Sequence, residues 1–244
     1  MIDLHSHILP MADDGAGSVE MGLDMLWEAC QSGTACIVLT PHYNPLSRTN
    51  GVERIRPLFQ DFQRIVCSEE IPIRIYLGQE VLFLSRKLFL EKQSEICTIH
   101  RTHYLLMEFP FDAAESNLLC GVETVKEVGL IPLIAHPERY TEIQSAPSIA
   151  RRLVRAGALL QMNKTSLLGV HGSSVQETAA LLLGQNLYAA VGSDAHDLGN
   201  RNAVLSGAYD LTREYFGEDR AEHLFWINAE KILDDEDIRR REPI

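Results

Sequence analysis

The sequence predicts an α/β fold, a closed TIM-like barrel of seven parallel strands, on three observations. Strand-like and helix-like segments alternate along all 244 residues, the signature of successive βαβ units. The hydrophobic content of 45% supplies one sizeable core, and chains of this length commonly close into a single α/β barrel. One domain, 1–244, is therefore expected. Third, candidate metal ligands recur at the C-terminal ends of the strands. Those ends meet on one face of a barrel, whereas the competing doubly wound sheet would spread them along an edge.

The elements follow in order. MIDLHSH reads as the first strand, and SVEMGLDMLWEACQSG as a helix with Ser18 as N-cap and Gly33 as its stop. TACIVLTPH is the second strand, GVERIRPLFQDFQRIVCSEE the next helix, and IPIRIYLGQE an alternating third strand. THYLLMEFP follows as the fourth strand, then a helix around 113–129 ending at Gly129. LIPLIAHPERY is the fifth strand, 145–156 a helix, ALLQMNKTS the sixth strand and 172–185 a helix. LYAAVGSDAH closes the series, and a helical region runs from about 200 to the C-terminus, where the tail EDIRRREPI is expected to pack on the barrel or on a neighbour.

Composition narrows the function. The formal net charge of −12 is spread along the chain, which disfavours a binder of the nucleic-acid backbone, since that requires a basic stripe. Cys30, Cys36, Cys67, Cys97 and Cys120 form no CxxC pair and read as reduced, buried thiols. The N-terminus has no basic region followed by an apolar run, and no stretch of about 18 apolar residues spans a membrane. A cytoplasmic location without membrane insertion is expected.

The ligands are His5 and His7 on strand one, His42 on strand two, Glu80 on three, Glu108 on four, His136 on five, and Asp194 and His196 on seven, with Asp13 and Asp14 in the first loop. His5 and His7 share a face by strand parity, as do Asp194 and His196. Asp3 has the same parity and is a candidate supporting carboxylate. A nitrogen and oxygen set without sulfur suits Mn, Fe or Zn, and the set exceeds what one tetrahedral ion needs. His100, His103, His171 and His223 lack this placement and read as surface or structural residues.

Clustered divalent ions acidify a bound water and neutralise oxyanion charge, chemistry suited to phosphate esters. Arg139 and Arg201, just beyond His136 and His196, are placed to fork onto phosphate oxygens, or else to make ordinary ion pairs. A cysteine-nucleophile phosphatase is excluded: the sixth position after each cysteine reads Cys36, His42, Ile73, His103 and Lys126, never arginine. No G-x-S-x-G elbow and no P-loop is present either.

DLHSHILPMADDG, TPHY, GQE, MEF, AHPERY and GSDAHD together resemble the PHP (polymerase and histidinol phosphatase) superfamily. More closely they resemble its CpsB/CapC branch, manganese-dependent bacterial protein-tyrosine phosphatases. The resemblance spans residue 2 to about 200. It implies a distorted (β/α)7 barrel with three metal ions, Mn most of all, with Fe or Zn as alternatives. It places His5, His7, Glu80 and Asp194 on one ion, Glu80, Glu108 and His136 on a second, and Asp14, His42 and His196 on a third. Asp14, not Asp13, matches the family position. Arg139 and Arg201 correspond to the family's catalytic, phosphate-contacting arginines. The implied substrate is phosphotyrosine on a protein, the tyrosine-rich tail of a bacterial tyrosine autokinase that regulates capsule or exopolysaccharide synthesis. TPHYNPLSRTN departs from relatives with more basic or aromatic residues there, which bears on substrate preference.

Two alternatives stand beside that expectation. A small-molecule phosphomonoesterase, such as a histidinol-phosphate phosphatase, would share every ligand. A non-catalytic PHP module would have lost ligands, and here every position is filled.

Overall fold

The computed structural model describes residues 1–47 and 50–238. Arg48 and Thr49 of the TPHYNPLSRTN loop, and 239–244 of the tail, lie outside the described residues.

All the expected strands form, but two are broken. The parallel segments are β1 (Ile2–Ser6), β2 (Cys36–Leu39), β3 (His42–Tyr43), β4 (Arg74–Leu77), β5 (Glu80–Leu82), β6 (Tyr104–Glu108), β7 (Ile131–Ala135), β8 (Leu159–Asn163) and β9 (Ala190–Gly192). β2 and β3 are halves of one expected strand, split at Thr40–Pro41; β4 and β5 are halves of the next, split at Gly78–Gln79. Pro41 has no N–H to give the ladder. Side chains bridge the breaks instead. Ser6 N donates to Thr40 Oγ1 at 3.0 Å, and the buried Gln79 side chain joins Asn50 O (2.6 Å) to Cys97 N (2.5 Å).

Hydrogen bonding runs in two orders, β1-β2-β4 and β3-β5-β6-β7-β8-β9. The ring closes where Ser6 bridges Ala195: His7 N donates to Ala195 O and Asp194 N to His5 O, both at 2.8 Å. Seven staves therefore surround the core. The distortion lies between β4 and β6, where the 3-10 turn Ile99–Arg101 is wedged with Ile99 fully buried.

The helices are α1 (Val19–Gln31), α2 (Val52–Ser68), α3 (Arg86–Lys92), α4 (Glu115–Glu127), α5 (Thr141–Ser145), α6 (Ser148–Ala156), α7 (Lys164–Leu167), α8 (Ser173–Gly184), α9 (Ser206–Phe216), α10 (Glu218–Glu222) and α11 (Asn228–Leu233). Ser18 caps α1 by accepting from Met21 N at 3.2 Å, and Gly33 ends it at φ +93°. α3 lacks a sequence signal long enough to anticipate. The sixth strand, expected to reach Ser166, stops at Asn163, whose side chain accepts from Thr165 N at 3.0 Å and starts α7.

The helices cover the barrel with apolar faces. Leu105 and Met107 of β6, Ile134 of β7 and Leu160 and Met162 of β8 face α4, α6 and α8 through Leu118, Val122, Val125, Leu153 and Leu182. Tyr104, Leu106, Leu133 and Leu159 belong to a separate interior cluster. Glu108 inherits their inward parity and so sits at the mouth. The described part of the tail packs under the barrel: Tyr104 hydroxyl donates to Glu236 O (2.6 Å), His103 N to Asp235 Oδ1 (2.7 Å), and Ile238 is buried. No helix among the described residues is long and apolar enough to cross a membrane.

Beside the strand-end mouth, Gly15 and Gly192 are required by close approach. A Cβ on Gly15 would stand 1.9 Å from His7 O, and one on Gly192 would stand 2.5 Å from His5 Cβ and 2.7 Å from Gln161 Nε2. Gly192→Ala is expected to destabilise the fold by about 1–3 kcal/mol, the usual cost of overpacking, whereas Gly17→Ala, with nothing within 4 Å of its Cβ, should melt like the parent. Equal melting temperatures for the two variants would contradict this packing.

Candidate metal centre

The strand ends bring the whole expected ligand set to one place. Glu80 Oε2 lies 2.9 Å from His42 Nδ1, 3.2 Å from His5 Nε2 and 3.3 Å from His7 Nε2. Glu80 Oε1 lies 2.9 Å from His136 Nε2. Asp194 Oδ1 is 3.6 Å from His5 Nε2, 3.4 Å from His7 Nε2 and 3.5 Å from His196 Nδ1. Glu108 Oε1 is 3.2 Å from His42 Nδ1, and Asp14 Oδ1 is 3.6 Å from His42 Nε2 and 3.5 Å from His196 Nε2. His5, His7 and Glu80 are fully buried, while the Asp14 side chain is 68% exposed. The site is a bowl with a dry floor and an open rim.

These contacts resolve into three overlapping clusters, His5–His7–Glu80, His42–Glu80–Glu108 and His7–Asp14–His42–His196, whose ligand atoms all lie within 4.8 Å of one another. The grouping differs from the one the resemblance implies: Asp194 and His136 fall outside the clusters, His42 joins Glu80 and Glu108, and His7 joins Asp14, His42 and His196. His42 faces both carboxylates with Nδ1 and Asp14 with Nε2, so it joins two clusters. His136 pairs with Glu80 and stands 3.9 Å from Glu108 Oε2.

Hydrogen bonds behind the ligands set the imidazole tautomers. His5 Nδ1 is 2.8 Å from Gln161 Oε1, His7 Nδ1 is 2.7 Å from Asp13 Oδ2, and His196 Nδ1 is 2.9 Å from Asp194 O. Each Nδ1–H donates to an acceptor, which leaves the Nε2 lone pair for a cation. The Nε2 atoms of His5 and His7 face each other at 3.2 Å. Glu80 Oε2 and His196 Nε2 are buried without a hydrogen-bond partner. Converging lone pairs and orphaned acceptors beside buried carboxylates fit divalent cations.

In the metal-free protein the buried carboxylates draw protons onto the imidazoles that would otherwise face a cation. Burial pushes the Asp13 carboxyl up, but the His7 hydrogen bond and charge outweigh it and hold it at about 2. Burial pushes His42 down, yet the Glu80 charge raises it to about 10. His196 goes the other way, to about 4, through burial and the His7 charge. Burial also opposes ionisation of Asp194, but His7 and His5 hold it well below the usual carboxylate range.

Backbone at two candidate ligands is strained. His136 has φ +35° and Asp194 φ +52°, left-handed conformations that cost a non-glycine residue about 1–3 kcal/mol. The fifth strand, expected to run through Tyr140, therefore ends at Ala135, and a 3-10 turn, Pro137–Arg139, carries Arg139 back over the site. The seventh ends at Gly192, so Asp194 and His196 meet through a loop and not through strand parity. Asp3 supports backbone and not a ring: β1 shifts register between Asp3 and Ser6, and Asp3 Oδ1 accepts from His5 N (3.2 Å) and Ser193 N (2.9 Å).

Both arginines converge on Asp194. Arg139 Nη1 is 3.3 Å from Oδ2, and Arg201 Nη2 is 3.0 Å from both carboxylate oxygens. Arg139 also stacks over the Phe111 ring at 4.5 Å. His171 comes near this pair; burial and the Arg139 charge push it down to about 4, and it pairs with Thr165 Oγ1 at 3.0 Å. His100, His103 and His223 lie away from the ligand clusters. Sequence reasoning missed the sixth strand's part: Gln161 orients His5, and Asn163 Nδ2 donates to Asp194 Oδ2 at 2.7 Å. Their inward parity beside the ligands was the available signal.

A parallel barrel with a hard nitrogen and oxygen ligand set at its strand-end mouth belongs to the metal-dependent class of α/β barrels. The family described as capsular polysaccharide synthesis, CpsB/CapC, matches residues 1–234, and the chain belongs to it. It is 32% identical over 243 residues to the tyrosine-protein phosphatase YwqE of Bacillus subtilis, spanning 100% of this chain and 95% of that one. It is 29% identical over 241 residues to the tyrosine-protein phosphatase CpsB of Streptococcus pneumoniae, spanning 97% and 99%. Crystal structures of YwqE and CpsB are described as those of unique metal-dependent tyrosine phosphatases. The match among them superposes with a TM-score of 0.92 at 33% identity, covering 100% of this chain and 99% of the other.

Gln161→Met, which removes the acceptor behind His5, is expected to weaken manganese binding about 10- to 100-fold. Competition with a chelator measures it. Unchanged affinity would mean that Gln161 does not set the His5 tautomer.

Proposed function

We propose that this protein is a metal-dependent phosphatase acting on phosphotyrosine in a protein substrate. The observation that carries the reading is the bowl itself, where the ligand clusters and two arginines converge within one opening. His5, His7, Asp14, His42, Glu80, Glu108, His136, Asp194 and His196 would hold three ions, with manganese as the preferred metal. Such cations, when bound, supply an acidified water and neutralise charge on the phosphoryl oxygens. Arg139 and Arg201 fork onto those oxygens, exchanging their Asp194 contacts for phosphate. Phe111 holds the Arg139 guanidinium from behind and presents an exposed ring to the leaving group. A phenolate, with a parent pKa of about 10, departs without a strong proton donor.

The rim supports a polypeptide substrate over a small metabolite. Met11, Leu46, Phe111 and Leu198 are exposed apolar side chains on the loops that follow β1, β3, β6 and β9. Exposed apolar patches of this kind mark contact surfaces. The family's capsular context, and the phosphatase names of the relatives, support the tail of a tyrosine autokinase in the cytoplasm as that polypeptide.

Phosphate release from the manganese-loaded protein tests the reading, comparing kcat/KM for a phosphotyrosine peptide and for histidinol phosphate. The expected result is a strong preference for the peptide, abolished by chelator. His136→Ala should lower kcat/KM by more than about 100-fold, beyond the loss of a supporting hydrogen bond. Preference for histidinol phosphate would move the substrate to small metabolites.

A further inference from the structure

Lys164 is a buried ammonium outside the ligand set. It follows Asn163 at the end of β8, is 2% exposed, and donates from Nζ to Asn202 Oδ1 at 2.5 Å and to Val204 O at 2.9 Å. Among the described residues no carboxylate pairs with it within 4.0 Å, and Asp3, Glu28 and Asp197 act on its charge only from farther off. Burying a cation against neutral acceptors is costly, and an apolar side chain of similar size would avoid that cost. Burial pushes its ammonium down to about 8.

What the ammonium grips is the loop that bears Arg201. Asn202 Oδ1 also accepts from Val204 N (3.1 Å), and Asn202 Nδ2 donates to Gly199 O (2.8 Å). Arg201 N donates to Asp197 Oδ1 (3.0 Å), while Arg201 O accepts from His196 N (2.8 Å). Asn202 is thus the knot of the loop, and Lys164 pins it from the end of β8. The guanidinium of the preceding residue reaches Asp194 from that fixed base. Arg139, by contrast, is carried by the Pro137–Arg139 turn and braced by Phe111.

We propose that Lys164 is a positioning residue, which holds the Arg201 guanidinium where phosphate is bound; the inference rests on Arg201 being a phosphate ligand. It separates the two arginines, one fixed by an aromatic ring and the other by a buried cation.

A double-mutant cycle tests it, with kcat/KM of the manganese-loaded protein on a phosphotyrosine peptide and the inhibition constant of inorganic phosphate as readouts. K164M is expected to lower kcat/KM about 10-fold, as loss of hydrogen bonds from a charged donor does, and to weaken phosphate inhibition by a similar factor. R201A should lower kcat/KM about 100-fold. The combination K164M/R201A should be no worse than R201A within about twofold, whereas K164M/R139A should multiply the two losses. N202A removes the acceptor together with the loop's own Asn202 hydrogen bonds and should lower kcat/KM at least as much as K164M, even if the buried substitution impairs folding. Multiplicative losses for K164M with R201A, or an N202A variant like the parent, would overturn the proposal. An R201A variant with parental kcat/KM would overturn the assignment of Arg201 to phosphate, and the proposal with it.

Discussion

Two buried carboxylates, Glu80 and Asp194, set the terms for everything around them. Each is removed from water on the floor of the bowl, and a buried charge persists only when compensated. The compensation is layered. Imidazole nitrogens and the arginines approach the oxygens, and Gln161, Asp13 and the Asp194 carbonyl hold the far side of the rings. The geometry that satisfies the carboxylates is the geometry that offers lone pairs to cations. Stability of the mouth and metal binding are one problem here, solved by the same atoms.

The scaffold yields to that requirement at its strand ends. Regular pairing continues to Ala135 and Gly192, then gives way to left-handed residues, His136 and Asp194, that are themselves candidate ligands. Such strain persists where surrounding structure overdetermines it. Gly15 and Gly192 make room where the first loop and the ninth strand press against His7 and His5. The barrel below is ordinary apolar packing, and departures from ideal geometry gather at the site, as expected where function competes with folding.

Much of this was legible from residue types. The alternation of elements, the caps at Ser18 and Gly33, and acid or histidine at successive strand ends give the fold class and the bowl. The two breaks were not legible, because residues on both sides keep a strand-like pattern, so periodicity runs across Pro41 and Gly78. Gln161 and Asn163 were passed over because neutral amides carry no distinctive signature, though their parity puts them beside the ligands. Asp13 and Asp14 are neighbours with identical chemistry, so residue type alone does not separate the one that braces His7 from the one that reaches His42 and His196. Lys164 carried no signal either, since nothing local predicts its burial against the Arg201 loop.

Anomalous diffraction from crystals grown with manganese, recorded on both sides of the metal's absorption edge, tests the central claim most directly. Three peaks are expected within the bowl, each in contact with histidine nitrogen and carboxylate oxygen, with Glu80 shared between two of them. A map without peaks there, or with manganese only at surface carboxylates, would contradict the reading of these strand ends as a metal centre.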